Sequence, residues 1–155
     1  MITAPHLHAM AIHFPIALLM AGFLSEVIAL ITKKQFFKEA SLYLLVLGAL
    51  GAIVAYVSGS SAGDGMTDGI LQKPIGMHEE AALVTLVLAI IAALFRVALY
   101  LFGYQKTWTK WLSLLLVTAL VGSVARTGYL GGELVFKHGA GIELALPDFG
   151  ESLTE

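Results

Sequence analysis

The side chains in this sequence with the widest chemical scope are its five histidines. Three lie near the start of the chain, one lies in its middle and one lies near its end: His6, His8, His13, His78 and His138. Neutral imidazole is the commonest metal ligand among side chains, and it also ligates haem iron. The chain has no cysteine, which excludes disulfides, thiolate zinc sites and iron–sulfur clusters. A bound metal would therefore be held by histidine, with carboxylate or methionine as further ligands.

Four apolar stretches must position these histidines. Each is close to the 20 or so residues that cross a hydrocarbon core of roughly 30 Å as a helix. They span residues 14–32, 41–58, 80–103 and 108–130, and we expect the short second one to extend back to residue 36. The composition agrees, because 58% of the residues are hydrophobic and only 13% are charged.

This pattern predicts an all-α integral membrane protein. We expect residues 1–142 to form an antiparallel four-helix transmembrane bundle and residues 143–155 to form an acidic C-terminal tail. The lipid bilayer is the first predicted partner. The nine basic residues do not cluster in the way that nucleic-acid partners require, so no nucleic acid is expected.

Orientation follows from the two short basic connections. They carry Lys33, Lys34, Lys38, Lys106 and Lys110. Because cytoplasmic loops are enriched in lysine and arginine, both connections should face the cytoplasm and both termini the periplasm, in a multi-pass protein of the bacterial inner membrane. No basic residue precedes the first apolar run, so we expect no cleaved signal peptide and a first span that stays in the mature protein.

In this topology all five histidines reach the periplasmic face. Pro15 sets the expected start of the first transmembrane helix, and residues 5–12 are expected to fold back along the interface. Arg126, in the outer third of the fourth span, is placed to neutralise a haem propionate, a lipid head group or Glu133. An ordinary interpretation competes for each histidine taken alone, since interfacial histidines commonly cap helices or donate hydrogen bonds.

Two further features concern packing within the membrane. The fourth span carries small residues at Gly122, Ala125, Gly128, Gly131 and Gly132, which favour close helix packing more often than the approach of a flat cofactor. Charged residues inside spans are expensive and usually pair. Glu26 and Arg96 lie at similar depths, so we expect them to form an ion pair that fixes the helices, in preference to a proton relay or quinone site.

Several motifs together resemble a known family. These are HxxxxHFPIAL at the start, SG at the end of the second span, a histidine opening the third, and GGELVFKHGAGI after the fourth. From His8 to Ile142 the chain resembles the domain-of-unknown-function family 2231 of small bacterial membrane proteins. The resemblance implies a distant relation to four-helix membrane b-type cytochromes and a role in electron transfer. The matching positions are His8, His13, His78 and His138.

The predicted function is therefore membrane electron transfer through one or two b-type haems, ligated by two histidines each near the periplasmic face. The expected ligands come from His8, His13, His78 and His138, paired as His13 with His78 and His8 with His138, and a cytochrome c or a larger membrane complex is the expected redox partner. One alternative is a copper or zinc site built from these histidines with Asp64, Met77 or Glu79. Another is a structural accessory subunit of a larger membrane complex. A stand-alone enzyme is the weakest interpretation, because no nucleophile–base pair or phosphate loop is present in the sequence.

Overall fold

The chain is helical through nearly all of its described length. The computed structural model describes residues 3–63, 69–104 and 106–142, so Asp64 and the predicted tail at 143–155 lie outside the described residues. Within them the helices are α1 (Ala4–Ala11), α2 (His13–Thr32), α3 (Gln35–Gly63), α4 (Gln72–Leu101) and α5 (Thr107–His138), with a 3-10 turn (Gly69–Leu71) leading into α4.

Four segments of the described chain are long and apolar enough to cross a membrane. They are α1 with α2, then α3, then the 3-10 turn with α4, and finally α5. Helices α2 and α3 form one hairpin, α4 and α5 form the second, and contacts of α3 with α4 and of α2 with α5 close the bundle. The predicted all-α four-helix membrane fold is confirmed.

The helices extend beyond the predicted spans. Helix α4 begins at Gln72 and not at residue 80, and α5 continues to His138 and not merely to residue 130. The reason is physical: hydropathy marks the part of a helix that lies in hydrocarbon, whereas the helix itself continues into the interface, where its polar side chains meet water. As a result His78 and His138 belong to helices, and much of the segment between the second and third predicted spans is helical, since α3 continues to Gly63 and α4 begins at Gln72.

The first two helices run almost as one. Ile12, which separates α1 from α2, has helical dihedral angles (φ −63°, ψ −26°), and its N–H donates to the His8 carbonyl at 3.1 Å. The interruption has a local cause, since Pro15 has no N–H for the carbonyl four residues earlier and its ring crowds that carbonyl. Helix α1 packs on α3, so the predicted fold-back of residues 5–12 is wrong.

The two ends of the bundle differ in character. At one end α3 finishes, α4 begins, and the histidines lie; we call this the histidine end. At the other end, residues 33–34 turn the chain from α2 into α3, and α4 ends in a turn at residues 102–104 before α5; we call this the basic end. Lys33 makes its turn with a left-handed conformation (φ 58°), and Gly103 does so with φ 61°.

Small residues bring the helices close together. The centre of the bundle contains Ala89, Ala92 and Leu120, all fully buried. A Cβ atom on Gly48 of α3 would lie 2.6 Å from the Leu19 side chain of α2, so the absence of a side chain at Gly48 makes room for Leu19. Such small-residue interfaces are typical of membrane bundles, and large apolar side chains such as Leu115 (65% exposed) face outward, where lipid would cover them.

A buried polar cluster joins all four spans near the basic end. Glu26 of α2 pairs with Arg96 of α4, and the Glu26 carboxylate also accepts hydrogen bonds from Ser41 of α3 at 2.7 Å and Ser113 of α5 at 3.1 Å. Arg96 donates to the same two hydroxyls, at 2.8 Å and 3.0 Å. The predicted ion pair is confirmed. Because each helix contributes one group, the cluster fixes the rotation of all four helices about their axes.

Candidate cofactor site

His8 extends from α1 onto the end of α3. Its Nδ1 lies 3.0 Å from the Ser58 hydroxyl, and that hydroxyl donates its own hydrogen to the Ala55 carbonyl at 3.0 Å. The hydroxyl must therefore accept from His8, so Nδ1 carries the proton and Nε2 keeps its lone pair. A Cβ on Gly59 would lie 2.9 Å from the imidazole ring, so the absence of a side chain there makes room for His8.

His78 repeats this arrangement between α4 and α5. Its Nδ1 lies 3.1 Å from the Thr127 carbonyl oxygen, which can only accept. In the neutral ring, Nδ1 is again the protonated nitrogen and Nε2 the one with a lone pair. A Cβ on Gly131 would lie 3.1 Å from the ring, so this glycine makes room for His78 as Gly59 does for His8.

Hydroxyl groups hold α4 against α5 at a point further from the histidine end than His78. Thr85, about two helical turns further along α4, lies on the same face as His78. Its hydroxyl oxygen is 2.7 Å from that of Ser123 and 2.9 Å from that of Thr127. These contacts fix the position of the Thr127 carbonyl along the axis of α4. They therefore position the acceptor that orients the His78 ring.

The two half-buried histidines lie in one region at the histidine end. His8 lies against Ser58 of α3, and His78 lies against Thr127 of α5. Ser60 of α3 donates to Glu79 of α4 at 3.2 Å, which joins the helix ends that carry the two sites. Among the contacts of the described residues, neither Nε2 atom has a hydrogen-bond partner. The site thus presents two imidazole lone pairs held in place by bonds from the opposite ring nitrogens.

The other predicted site residues lie apart from this pair. His13 is exposed, with its Nδ1 2.7 Å from the Ala9 carbonyl, and His138 is exposed at the end of α5. Arg126 is exposed on α5, and the carboxylate of Glu133, which was a predicted partner, instead pairs with Lys137. Across residues 3–63, 69–104 and 106–142, no three His, Asp or Glu side chains gather as a metal-binding group. His13 and His138 therefore do not complete a ligand set with the central pair.

Sequence reasoning overlooked the groups that orient the two rings. Ser58 and Gly59 featured only as the SG motif, and Thr127 was not singled out at all. Gly131 was interpreted as a helix-packing residue, although it is His78 that occupies the space beside it. A Cβ on Gly122, Gly128 or Gly132 would meet no atom within 4 Å, so these three do not serve close packing within the described chain.

Removing the Ser58 hydroxyl should free the His8 ring. In Ser58→Ala, Nδ1 of His8 loses its hydroxyl acceptor, and we expect the free energy of unfolding to fall by about 1 kcal/mol. Nitrogen NMR of the imidazole should show a single tautomer in the wild type and a mixture in the variant. The control is Ser61→Ala, since the Ser61 hydroxyl donates only within its own helix, to Val57. An unchanged His8 tautomer in Ser58→Ala would contradict the assignment.

The fold and the histidine pair together define a small multi-pass membrane protein with a polar site at one end of a four-helix bundle. The chain matches the family model described as "Predicted membrane protein (DUF2231)" over residues 4–144. This protein therefore belongs to the DUF2231 family, and the resemblance seen in the sequence is confirmed at that level. No curated protein and no solved structure matches the chain.

Proposed function

We propose that this protein is a membrane electron-transfer subunit in which His8 and His78 are the axial ligands of one b-type haem. The observation that carries the proposal is the matched hydrogen bonding of the two rings. Each donates from Nδ1 to a neighbouring helix, at 3.0 Å for His8 and 3.1 Å for His78. This leaves both Nε2 atoms free to bind a metal, and bonds of this kind orient the histidine ligands of known metal sites.

The donor set suits haem better than a bare ion. Haem iron takes four ligands from the macrocycle and needs only two imidazoles from the protein. Structural zinc takes four protein ligands and catalytic zinc takes three, which exceeds the two imidazoles brought together here. The copper or zinc alternative would need a further ligand such as Asp64, Met77 or Glu79, and among the described residues no three His, Asp or Glu side chains gather, so the haem proposal is preferred.

The structure favours a different pairing from the one expected on sequence grounds. His13 with His78 and His8 with His138 were the expected pairs, whereas His8 and His78 are the two half-buried histidines that each donate from Nδ1 to a neighbouring helix. His13 and His138 are both exposed, so the geometry supports one haem rather than two. The sequence could not distinguish His8 from His13, because the choice depends on α1 continuing as a helix against α3.

Each residue of the site has a defined part in the proposed function. His8 and His78 would hold the haem iron, and a bound haem would supply a one-electron redox couple. The Ser58 hydroxyl holds the His8 ring through Nδ1, and the Thr127 carbonyl holds the His78 ring in the same way. Nε2 of each ring is therefore left free. Arg126, one position before Thr127, is proposed to neutralise a propionate.

The location and partners are also part of the proposal. By the positive-inside rule, the lysines of the basic end support a cytoplasmic location for that end, and the histidine end and both termini would then face the periplasm of a bacterial inner membrane. A periplasmic carrier such as a cytochrome c, or a larger membrane complex, would then exchange electrons at the histidine end.

Metal analysis of the purified protein tests this proposal against its alternatives. We expect one iron and one extractable b-type haem per chain when the protein is expressed with an ample haem supply, and no stoichiometric copper or zinc. Stoichiometric copper or zinc without iron would favour the metal-handling alternative. A folded protein that contains no metal would leave both histidines as helix-packing groups of an accessory subunit.

The glycine beside His78 offers a test with a matched control. In Gly131→Val the new side chain would occupy the space of the imidazole ring, whereas in Gly132→Val it would enter open space. Both changes place the same β-branched residue in the same helix. We expect Gly131→Val to lower haem affinity about 10-fold or more, as loss of an orienting contact does in other metal sites, and Gly132→Val to leave it within about 2-fold. Equal losses in both variants would show that His78 is not positioned by Gly131.

A further inference from the structure

A cavity lies at the basic end of the bundle, opposite the histidine site. It has a volume of about 300 Å³ and is bounded by the ends of all four spans. The Glu26–Arg96 ion pair and Ser113 form part of its polar lining, and leucines contribute an apolar part. Three further cations line it: Lys33 after α2, Lys38 in α3 and Lys110 in α5. This cavity has no part in the proposed electron-transfer function.

The charges around the cavity do not cancel. Its lining contains four cationic side chains and two carboxylates, Glu26 and Glu39. Glu26 is already paired with Arg96, and the Glu39 carboxylate accepts from Gln35 at 3.0 Å. In the described part of the chain the ion pairs are Glu26–Arg96 and Glu133–Lys137, so no carboxylate pairs with any of the three lysines. The cavity therefore carries a net positive charge.

Arg96 cannot be the main ligand group of this cavity. Its Nη1 donates to Glu26 and Ser113, and its Nη2 donates to Ser41 and, at 3.5 Å, to the Lys38 carbonyl. Its terminal nitrogens are thus committed to the buried cluster. An anion in the cavity would be held by the lysine ammonium groups.

The surroundings of the cavity favour a lipid as the source of that anion. Tyr104 lines the cavity and packs edge-on against Trp108, with ring centroids 6.2 Å apart, as in the aromatic belts of membrane interfaces. Ile31, Leu101 and Phe102, beside the two turns, expose more than two thirds of their surface. The phosphate of a phospholipid would pair with the lysines of the cavity, and its acyl chains would cover these apolar side chains. Basic pockets between spans on the cytoplasmic side are known to bind such head groups.

We propose that the cavity at the basic end binds the phosphate of one anionic phospholipid through Lys33, Lys38 and Lys110. The head group lies between Lys33 of the first hairpin and Lys110 of the second, and the acyl chains follow the outer surfaces of the adjoining helices. A bound lipid thereby connects the two hairpins at the end where the chain itself joins them only through side chains.

Matched double variants test this proposal. Lys33→Gln/Lys110→Gln removes one cavity cation from each hairpin, whereas Lys34→Gln/Lys106→Gln removes one nearby cation from each hairpin without altering the cavity lining. All four lysines are exposed, so neither double variant should impair folding. Delipidated protein in detergent is titrated with phosphatidylglycerol or phosphatidylcholine, and bound lipid is counted by native mass spectrometry.

We expect the wild type to bind one phosphatidylglycerol in preference to phosphatidylcholine. The cavity variant should lose about fivefold in phosphatidylglycerol affinity per lysine, about 25-fold in all, and the control less than about twofold. Equal losses in the two variants would overturn the proposal in favour of diffuse surface attraction. Displacement of the lipid by an equal concentration of inorganic phosphate would overturn the lipid assignment and identify the site as one for free phosphate.

Discussion

His78→Ala is expected to abolish stable haem binding. The variant would retain one protein ligand of the proposed two, and the space beside Gly131 would be empty. Loss of an orienting contact in a metal site lowers affinity by about 10- to 100-fold, so loss of the ligand itself should exceed about 100-fold. Haem titration of the detergent-solubilised protein, followed by visible absorption, measures the effect. His8→Ala should behave in the same way.

His13→Ala is the control for this prediction. His13 occupies the neighbouring part of the chain, but its ring is exposed and its Nδ1 is bound to the Ala9 carbonyl. We expect His13→Ala to retain full haem affinity and the six-coordinate spectrum. If His13→Ala lost haem while His8→Ala retained it, the pairing would be His13 with His78, and our assignment of His8 would be wrong.

Arg96→Leu should produce the largest loss of stability. It leaves the Glu26 carboxylate buried, with a side-chain exposure of 7%, and with hydroxyl groups alone as its partners. Breaking a buried ion pair by removing one partner lowers the free energy of unfolding by about 3–5 kcal/mol. Unfolding by sodium dodecyl sulfate in mixed micelles, monitored by circular dichroism, measures this loss.

The double variant Glu26→Leu/Arg96→Leu supplies the comparison. Replacing both members of a buried pair by apolar residues is often neutral or stabilising, so we expect it to recover more than half of the stability lost in Arg96→Leu. If the double variant were as unstable as the sum of the two single variants, the charges would not be acting as a pair. Glu26 and Arg96 would then have separate structural roles.

The number and placement of the spans could be predicted from sequence, because a membrane imposes a length and a composition on each helix. The helix ends could not, because α4 and α5 continue as helices past the hydrocarbon at Gln72 and His138. The Glu26–Arg96 pair was predictable for a related reason. Each charge alone is costly inside a span, and both lie at a similar depth.

The details of the candidate site depend on rotation, which the sequence pattern does not fix. Successive helical residues differ by about 100° in direction, so of two adjacent glycines Gly131 makes room for a ring while Gly132 faces open space. The choice between His8 and His13 likewise depends on how α1 meets α3. Residue type therefore indicated histidine chemistry, whereas tertiary packing determines which two rings are half-buried and held by neighbouring helices.

The reduced-minus-oxidised visible spectrum of the wild-type protein is the most direct test of the central claim. The protein would be purified in detergent from cells given an ample haem supply, and its haem content determined against protein concentration. We predict the narrow bands of six-coordinate b-type haem at one haem per chain. A featureless spectrum from folded protein would contradict the claim that His8 and His78 hold a haem.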